Sequence, residues 1–174
     1  ATLGSRGADL YYLTDDGQWR SLAPAIPYGD PATVTLLIEN MEPVMREYML
    51  HLPLYDGLRY CKIGVAPDAV IEAPVADSPR AAVKPVVIYG SSIAHGATAS
   101  RPGMAASNTL RRELDADVIN LGFSANAHID YEIAHMMADV DASAYVLDFV
   151  PNALVWEINE KTERFVKILR DRRP

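Results

Sequence analysis

Cysteine is nearly missing from this 174-residue chain, which has only Cys61. One thiol excludes an intrachain disulfide and leaves no thiolate set for zinc. The flanking residues Arg59-Tyr60-Cys61-Lys62-Ile63 read as a strand, so Cys61 is expected to be a buried structural thiol. Also absent is any unbroken apolar stretch near the eighteen or so residues that a membrane-crossing helix needs, and the N-terminus has no basic-then-apolar leader pattern. A soluble chain is expected, with the cytoplasm favoured over secretion, although the sequence opens on Ala1 rather than Met and the compartment stays open. Basic residues are outnumbered, 16 against 23 acidic, and the net charge of −7 opposes phosphate backbones and anionic lipid. The one dense basic run, Arg170-Asp171-Arg172-Arg173, reads as the solvated end of a helix, where positive charge suits the macrodipole. Nucleic acid is therefore not an expected partner.

What is present divides into two patterns. Over the first seventy or so residues, short apolar or alternating stretches (Ala8 to Leu13, Gln18 to Leu22, Thr33 to Glu39, Arg46 to Leu52, Arg59 to Val65) are separated by turn signals such as Asp15-Asp16-Gly17 and Asp56-Gly57. This predicts an antiparallel all-β segment. The stretch from Glu72 to Pro85 contains three prolines and several small residues and reads as an extended linker, with a boundary near residue 80. Residues 1–79 and 80–174 are thus expected to form separate domains. Beyond it, apolar runs (Pro85 to Tyr89, Val118 to Leu121, Tyr145 to Phe149) alternate with helical stretches (Met104 to Leu114 opened by Pro102, Asp130 to Ala138, Ile158 to Arg170). Strands alternating with helices predict a parallel sheet covered on both faces, a doubly wound α/β domain.

Ligands of such sheets bind at the carboxyl ends of the strands, near the switch in strand order. The loops to inspect are Gly90-Ser91-Ser92-Ile93-Ala94-His95-Gly96, Gly122-Phe123-Ser124-Ala125-Asn126-Ala127 and Val150-Pro151-Asn152-Ala153. Serine needs a base to become nucleophilic and fixed donors for the oxyanion it generates. Ser92 follows a strand with a glycine two residues before it, Gly122 could bring a backbone N–H close to a ligand, and Asn152 offers a side-chain amide at the same rim. His95 either acts as a surrogate base or lines the cleft mouth. Arg101 either holds an anionic or carbonyl group of a substrate or solvates the helix start. Asn126 either touches substrate or shapes its own loop. Asp9 and Tyr11 are expected to pack an interface, and His51 is read as structural. His128 and His135, with Asp130 and Glu132, resemble a metal set, but seven helical residues separate the imidazoles by about 10 Å of rise. No metal and no cofactor is expected.

These residues together resemble the SGNH (GDSL-like) hydrolases. Tyr89-Gly90-Ser91-Ser92-Ile93, followed by Ala99-Ser100-Arg101-Pro102-Gly103, is similar to the first block of a branch in which the GDS signature has become Gly-Thr-Ser-Ile or Gly-Ser-Ser-Ile. Asn120 to Asn126 is similar to the second block and Leu147 to Asn152 to the third. Gly7-Ala8-Asp9-Leu10-Tyr11 resembles the Gly-x-Asp-Leu-Tyr element, and Leu52 to Gly57 the strand-turn, of the β-sandwich that precedes the hydrolase domain in that branch. The resemblance implies a flavodoxin-like three-layer α/β/α hydrolase domain, partial here, after part of a β-sandwich. It implies Ser92 as nucleophile, and an oxyanion hole from the N–H groups of Ser92 and Gly122 and the side chain of Asn152. The substrate would be a small-molecule ester, with acylated carbohydrate as one form. The family's Asp-x-x-His block, which supplies the base and its orienting carboxylate, occurs nowhere in the sequence and is expected beyond Pro174. Ala153 stands where many relatives have Asp. Two rival readings use the same chain: an acyltransferase acting on a small-molecule acceptor, and a non-catalytic carbohydrate-binding module.

Overall fold

Val86-Val87-Ile88-Tyr89-Gly90 has no charged or amide side chain, so it cannot show one face to water, and it becomes the central strand of a parallel sheet, buried along its whole length. The computed structural model describes residues 2–27, 32–74 and 82–173. In it β4 (Val86–Gly90) lies between β5 (Val118–Gly122) and β6 (Ala144–Asp148), in the order β5-β4-β6 and all parallel. Helices α2 (Ser92–His95) and α3 (Ala106–Leu114) connect β4 to β5, α4 (Tyr131–Ala138) connects β5 to β6, and α5 (Val155–Arg172) follows. Side chains alternate across the sheet, and the two faces bury different partners. Val87 and Tyr89 meet Met137, Phe165 and Leu169 of α4 and α5, while Val86 and Ile88 meet Ala94 and Leu110 of α2 and α3. The expected α/β/α layering is therefore present, and each expected strand and helix of this region lies within a few residues of its predicted place.

Local chemistry sets the helix ends. The Oγ of Ser91 accepts from the N–H of Ile93 and caps α2, which stops at Gly96 with φ +104°. Pro102 starts a 3₁₀ turn (Pro102–Met104) ahead of α3, and the side chain of Asn108 returns to the Pro102 carbonyl at 2.9 Å. At α5 the Glu157 carboxylate reaches back to the Leu154 N–H at 2.9 Å, starting that helix three residues earlier than its periodicity predicts.

The N-terminal segment forms a second, antiparallel sheet in the order β2-β1-β3, with β1 (Ala8–Leu13), β2 (Trp19–Ala25) and β3 (Tyr48–His51). The predicted hairpin turns through Gly17 at φ +77°, and Pro24 is accommodated because β2 is an edge strand. A short helix, α1 (Thr2–Arg6), precedes β1 and has no apolar periodicity that would announce it. Three expectations are corrected. Residues 33–39 and 59–65 form no strand: Val34 and Leu36 are exposed, as are Tyr60 and Ile63, because alternation gives a strand only where a neighbouring edge takes the hydrogen bonds. Cys61 is accordingly exposed rather than buried. The boundary expected near residue 80 lies outside the described residues.

The two sheets are held together by polar contacts on β1. Asp9 is fully buried and pairs through Oδ2 with the Arg101 guanidinium at 2.8 Å and the Gly103 N–H at 3.2 Å. Burial pushes its carboxyl up, against the pull of Arg101. A side chain at Gly103 would start 2.3 Å from the Tyr11 ring, so glycine is required for this approach. Arg112 stacks on Tyr11 at 4.1 Å and donates to Nε2 of His51 at 3.0 Å. The interface role expected of Asp9 and Tyr11, and the structural role expected of His51, are thus what the structure contains. His51 must stay neutral to accept from Arg112, and burial together with Arg112 and Arg111 lowers its pKa to about 4. A histidine depressed from about 6.5 in the unfolded chain destabilises the fold as pH falls through that window, by about 3 kcal/mol in all. Urea unfolding should therefore show a stability loss between pH 6.5 and 4 that His51→Gln, which keeps an acceptor but cannot titrate there, diminishes.

Candidate active site

The last paired residues of the three parallel strands stand in one row, Gly90 opposite both Gly122 and Asp148. All three loops consequently leave the sheet at the same rim. The chain passes from β4 to β5 on one side and then to β6 on the other, so the switch in strand order falls at the carboxyl end of β4. Ser92 follows that end by two residues, half-buried at the first position of α2. Its neighbour Ser91 is fully buried and committed to capping, with its N–H on the Asp148 carbonyl at 3.1 Å. The Ser92 N–H belongs to the first turn, where no intrahelical acceptor exists.

The second loop is governed by Asn120, a carboxamide set within the apolar strand β5. Its Nδ2 donates to the Ala94 carbonyl and to the Ser107 hydroxyl, both at 2.8 Å, and its Oδ1 accepts the Gly122 N–H at 2.8 Å. One side chain thereby fixes α2, α3 and the end of β5. A Cβ at Gly122 would lie 2.3 Å from the His95 nitrogen and 2.5 Å from its Cα, so the glycine lets α2 lie directly on β5. The Gly122 N–H is thus committed to Asn120. Further along, Ala125 and Ile129 both adopt left-handed φ, +61° and +56°, unusual for alanine and more so for a β-branched residue. The Tyr89 hydroxyl, from within the core, accepts the Ile129 N–H at 3.1 Å and secures the loop's far end. Ala125 is exposed, and its N–H has no hydrogen-bond partner among the described residues.

In the third loop the Asn152 N–H donates to the Phe149 carbonyl at 2.9 Å, closing a turn. The side-chain oxygen of Asn152 faces the Ala127 N–H at 3.5 Å, which leaves its NH₂ without a partner among the described residues. Half-buried Asn152 and half-buried Ser92 therefore stand on neighbouring loops of one rim.

Other nominated residues are occupied elsewhere. Arg101 faces Asp9 and the Tyr11 hydroxyl. His95 points its Nε2 at the Leu54 carbonyl, 2.5 Å away, and stacks on Tyr55 with ring centroids 4.0 Å apart. Asn126 donates to the Ser124 carbonyl at 2.7 Å, shaping its own loop.

Residues 83–174 match the model of the GDSL-like lipase/acylhydrolase family, and residues 1–71 match that of the GxDLY family, the N-terminus of SGNH-hydrolase-type esterases. The chain belongs to the GDSL-like lipase/acylhydrolase family. It is similar to a candidate GDSL-like lipase from Bacteroides ovatus ATCC 8483, known from a crystal structure at 1.40 Å, with 40% identity and a TM-score of 0.88. That alignment covers 100% of this chain and 50% of the other, so the chain spans half the length of its solved relative. No curated protein matches it.

Within this GDSL-like hydrolase fold, Asn120 is the site residue that sequence reasoning passed over. Its only signal was an amide in the middle of an apolar strand, which a buried position tolerates only when every polar atom is paired. Gly122→Ala should cost about 3 kcal/mol by urea unfolding, at the upper end for overpacking because backbone rather than a flexible side chain is struck. Asn120→Ala, which strands three partners, should cost a similar amount or more, whereas Asn126→Ala on the exposed turn should stay within about 0.5 kcal/mol.

Proposed function

We propose that the site carries out serine-dependent ester hydrolysis. The reading rests chiefly on one observation, the common row in which β4, β5 and β6 end, from which Ser92, the second loop and Asn152 all emerge. Ser92 Oγ attacks the ester carbonyl carbon, forming a C–O bond as its proton passes to a base. The tetrahedral oxyanion takes hydrogen bonds from the Ser92 N–H, from the Asn152 amide and from the second loop. On that loop the Gly122 N–H must share the Asn120 oxygen to take part, whereas the Ala125 N–H is uncommitted, and we assign Ala125 the donor's part. The alcohol then leaves with a proton, and water repeats the attack on the acyl-enzyme to release the acid. The substrate is a small-molecule ester, with O-acylated carbohydrate among the candidates.

The general base is not one of the chain's four histidines in this reading. His51 accepts from Arg112, His95 is turned to Leu54, and both ring nitrogens of His128 face acceptors. His135 lies exposed on α4, the helix between β5 and β6. Residues 1–174 alone should therefore hydrolyse p-nitrophenyl acetate no faster than their Ser92→Ala variant, and a rate a hundredfold above that variant would overturn the assignment of the base. In the complete gene product, a fluorophosphonate probe should label Ser92, and Asn152→Ala should lower kcat by about 10²–10³, the usual loss for one oxyanion donor. Labelling elsewhere would remove Ser92 from the mechanism.

A further inference from the structure

His128 closes the second loop, and each of its ring nitrogens faces a group that can only accept. Nδ1 lies 2.9 Å from Glu157 Oε2, and Nε2 lies 3.3 Å from the Ala125 carbonyl. A neutral imidazole has one N–H and one lone pair, so it can satisfy one of these partners but not both. Only the doubly protonated ring fits the site as built. We propose that His128 is a positioning residue which, as an imidazolium, ties the second loop at Ala125 to Glu157 at the head of α5, so that loss of its proton loosens the loop beside Asn152.

The surrounding charges favour that state. Glu157 is buried, and bonds from Lys161, His128 and the Leu154 N–H lower its pKa to about 2, so it is a carboxylate throughout the working range. Lys161 donates to Glu157 Oε1 at 2.8 Å and to the His128 carbonyl at 2.9 Å, a second cation on the same carboxylate that works against the imidazolium yet leaves the His128 pKa raised overall. Asp130, at the head of α4, adds a further negative charge. The hydrogen bond to Glu157 is the largest influence on His128 and raises its pKa. When the proton leaves, the charge-assisted bond to Glu157 is the one retained, since it is shorter and its acceptor is charged. The Nε2 lone pair then faces the Ala125 carbonyl oxygen, and these repel. Ala125 already occupies a left-handed conformation, and two residues on, the Ala127 N–H faces the Asn152 side-chain oxygen. A shift at Ala125 therefore passes to the candidate oxyanion donors. The link to catalysis rests on the proposed ester hydrolysis, but the coupling does not.

The test is a pH titration of the ¹⁵N-labelled protein from pH 5 to 9, following the imidazole nitrogens and the backbone and side-chain amides. His128 should titrate with a midpoint above the ordinary 6.5 or so, and below that midpoint both ring nitrogens should be protonated. Glu157→Gln should lower that midpoint, and the amides of Ala125 and Asn152 should follow the same midpoint in the unaltered protein and lose it in His128→Gln. A His128 midpoint no higher than that of an ordinary imidazole, or amides of Ala125 and Asn152 that ignore its titration, would overturn the inference without any variant needing to fold. With p-nitrophenyl acetate and the complete gene product, kcat rather than KM should fall above the His128 midpoint, a limb absent from His128→Gln. Intact coupling in a protein with no esterase activity would uphold the switch and reject the ester-hydrolase reading instead.

Discussion

The site depends on a contact that only hydrogen can make. Where β5 ends, the backbone of His95 occupies the volume that a side chain at Gly122 would need. That approach seats α2 on the sheet and determines where Ser92 stands relative to the loops on either side. Gly90 has a similar constraint at the end of β4, where a Cβ would lie 2.8 Å from the Asp148 carbonyl oxygen and 2.9 Å from the Ala94 Cβ. Two glycines in register thus let three strands end level and let a helix begin at once above them.

Because the rim is built from loops, its rigidity has to come from polar groups that the hydrophobic core cannot supply. Asn120 beneath α2, the Tyr89 hydroxyl beneath Ile129, and Glu157 beneath His128 and Leu154 each satisfy backbone or side-chain groups at that rim. Each sits in a largely desolvated place, where a completed set of bonds fixes geometry and a broken one is costly. Tyr89 has both roles, since its ring stacks on Phe165 within the core while its oxygen reaches the strained loop.

The parallel half of the fold was legible because burial on both faces writes itself as unbroken apolar runs, and Val86 to Tyr89 left little alternative. The antiparallel half was legible only in part. Ala8 to Leu13 found neighbours on both sides, whereas residues 33–39 and 59–65 have a similar pattern and no such edges, and pattern alone cannot say which stretch will be paired. At the site, spacing after the strands led to Ser92 and Asn152, and the family resemblance put them in order. The occupations of Arg101 and His95 were hidden because their partners, Asp9 and Leu54, lie far away in sequence. The commitment of the Gly122 N–H was hidden for the opposite reason, since its acceptor, Asn120, is so near that it read as one more residue of the strand.

The contacts of β1 with residues 101–112 bear on how such a protein can be recombined. Asp9 and Tyr11 answer Arg101, Gly103 and Arg112 atom for atom, with a glycine reserved on one side for the ring on the other. A foreign N-terminal segment grafted onto this α/β half would strip Arg101 of its counter-ion and Arg112 of its aromatic platform, and would face a hollow shaped for a tyrosine. The two halves are therefore not interchangeable parts, and a working chimera must inherit both sides of that seam from a single parent.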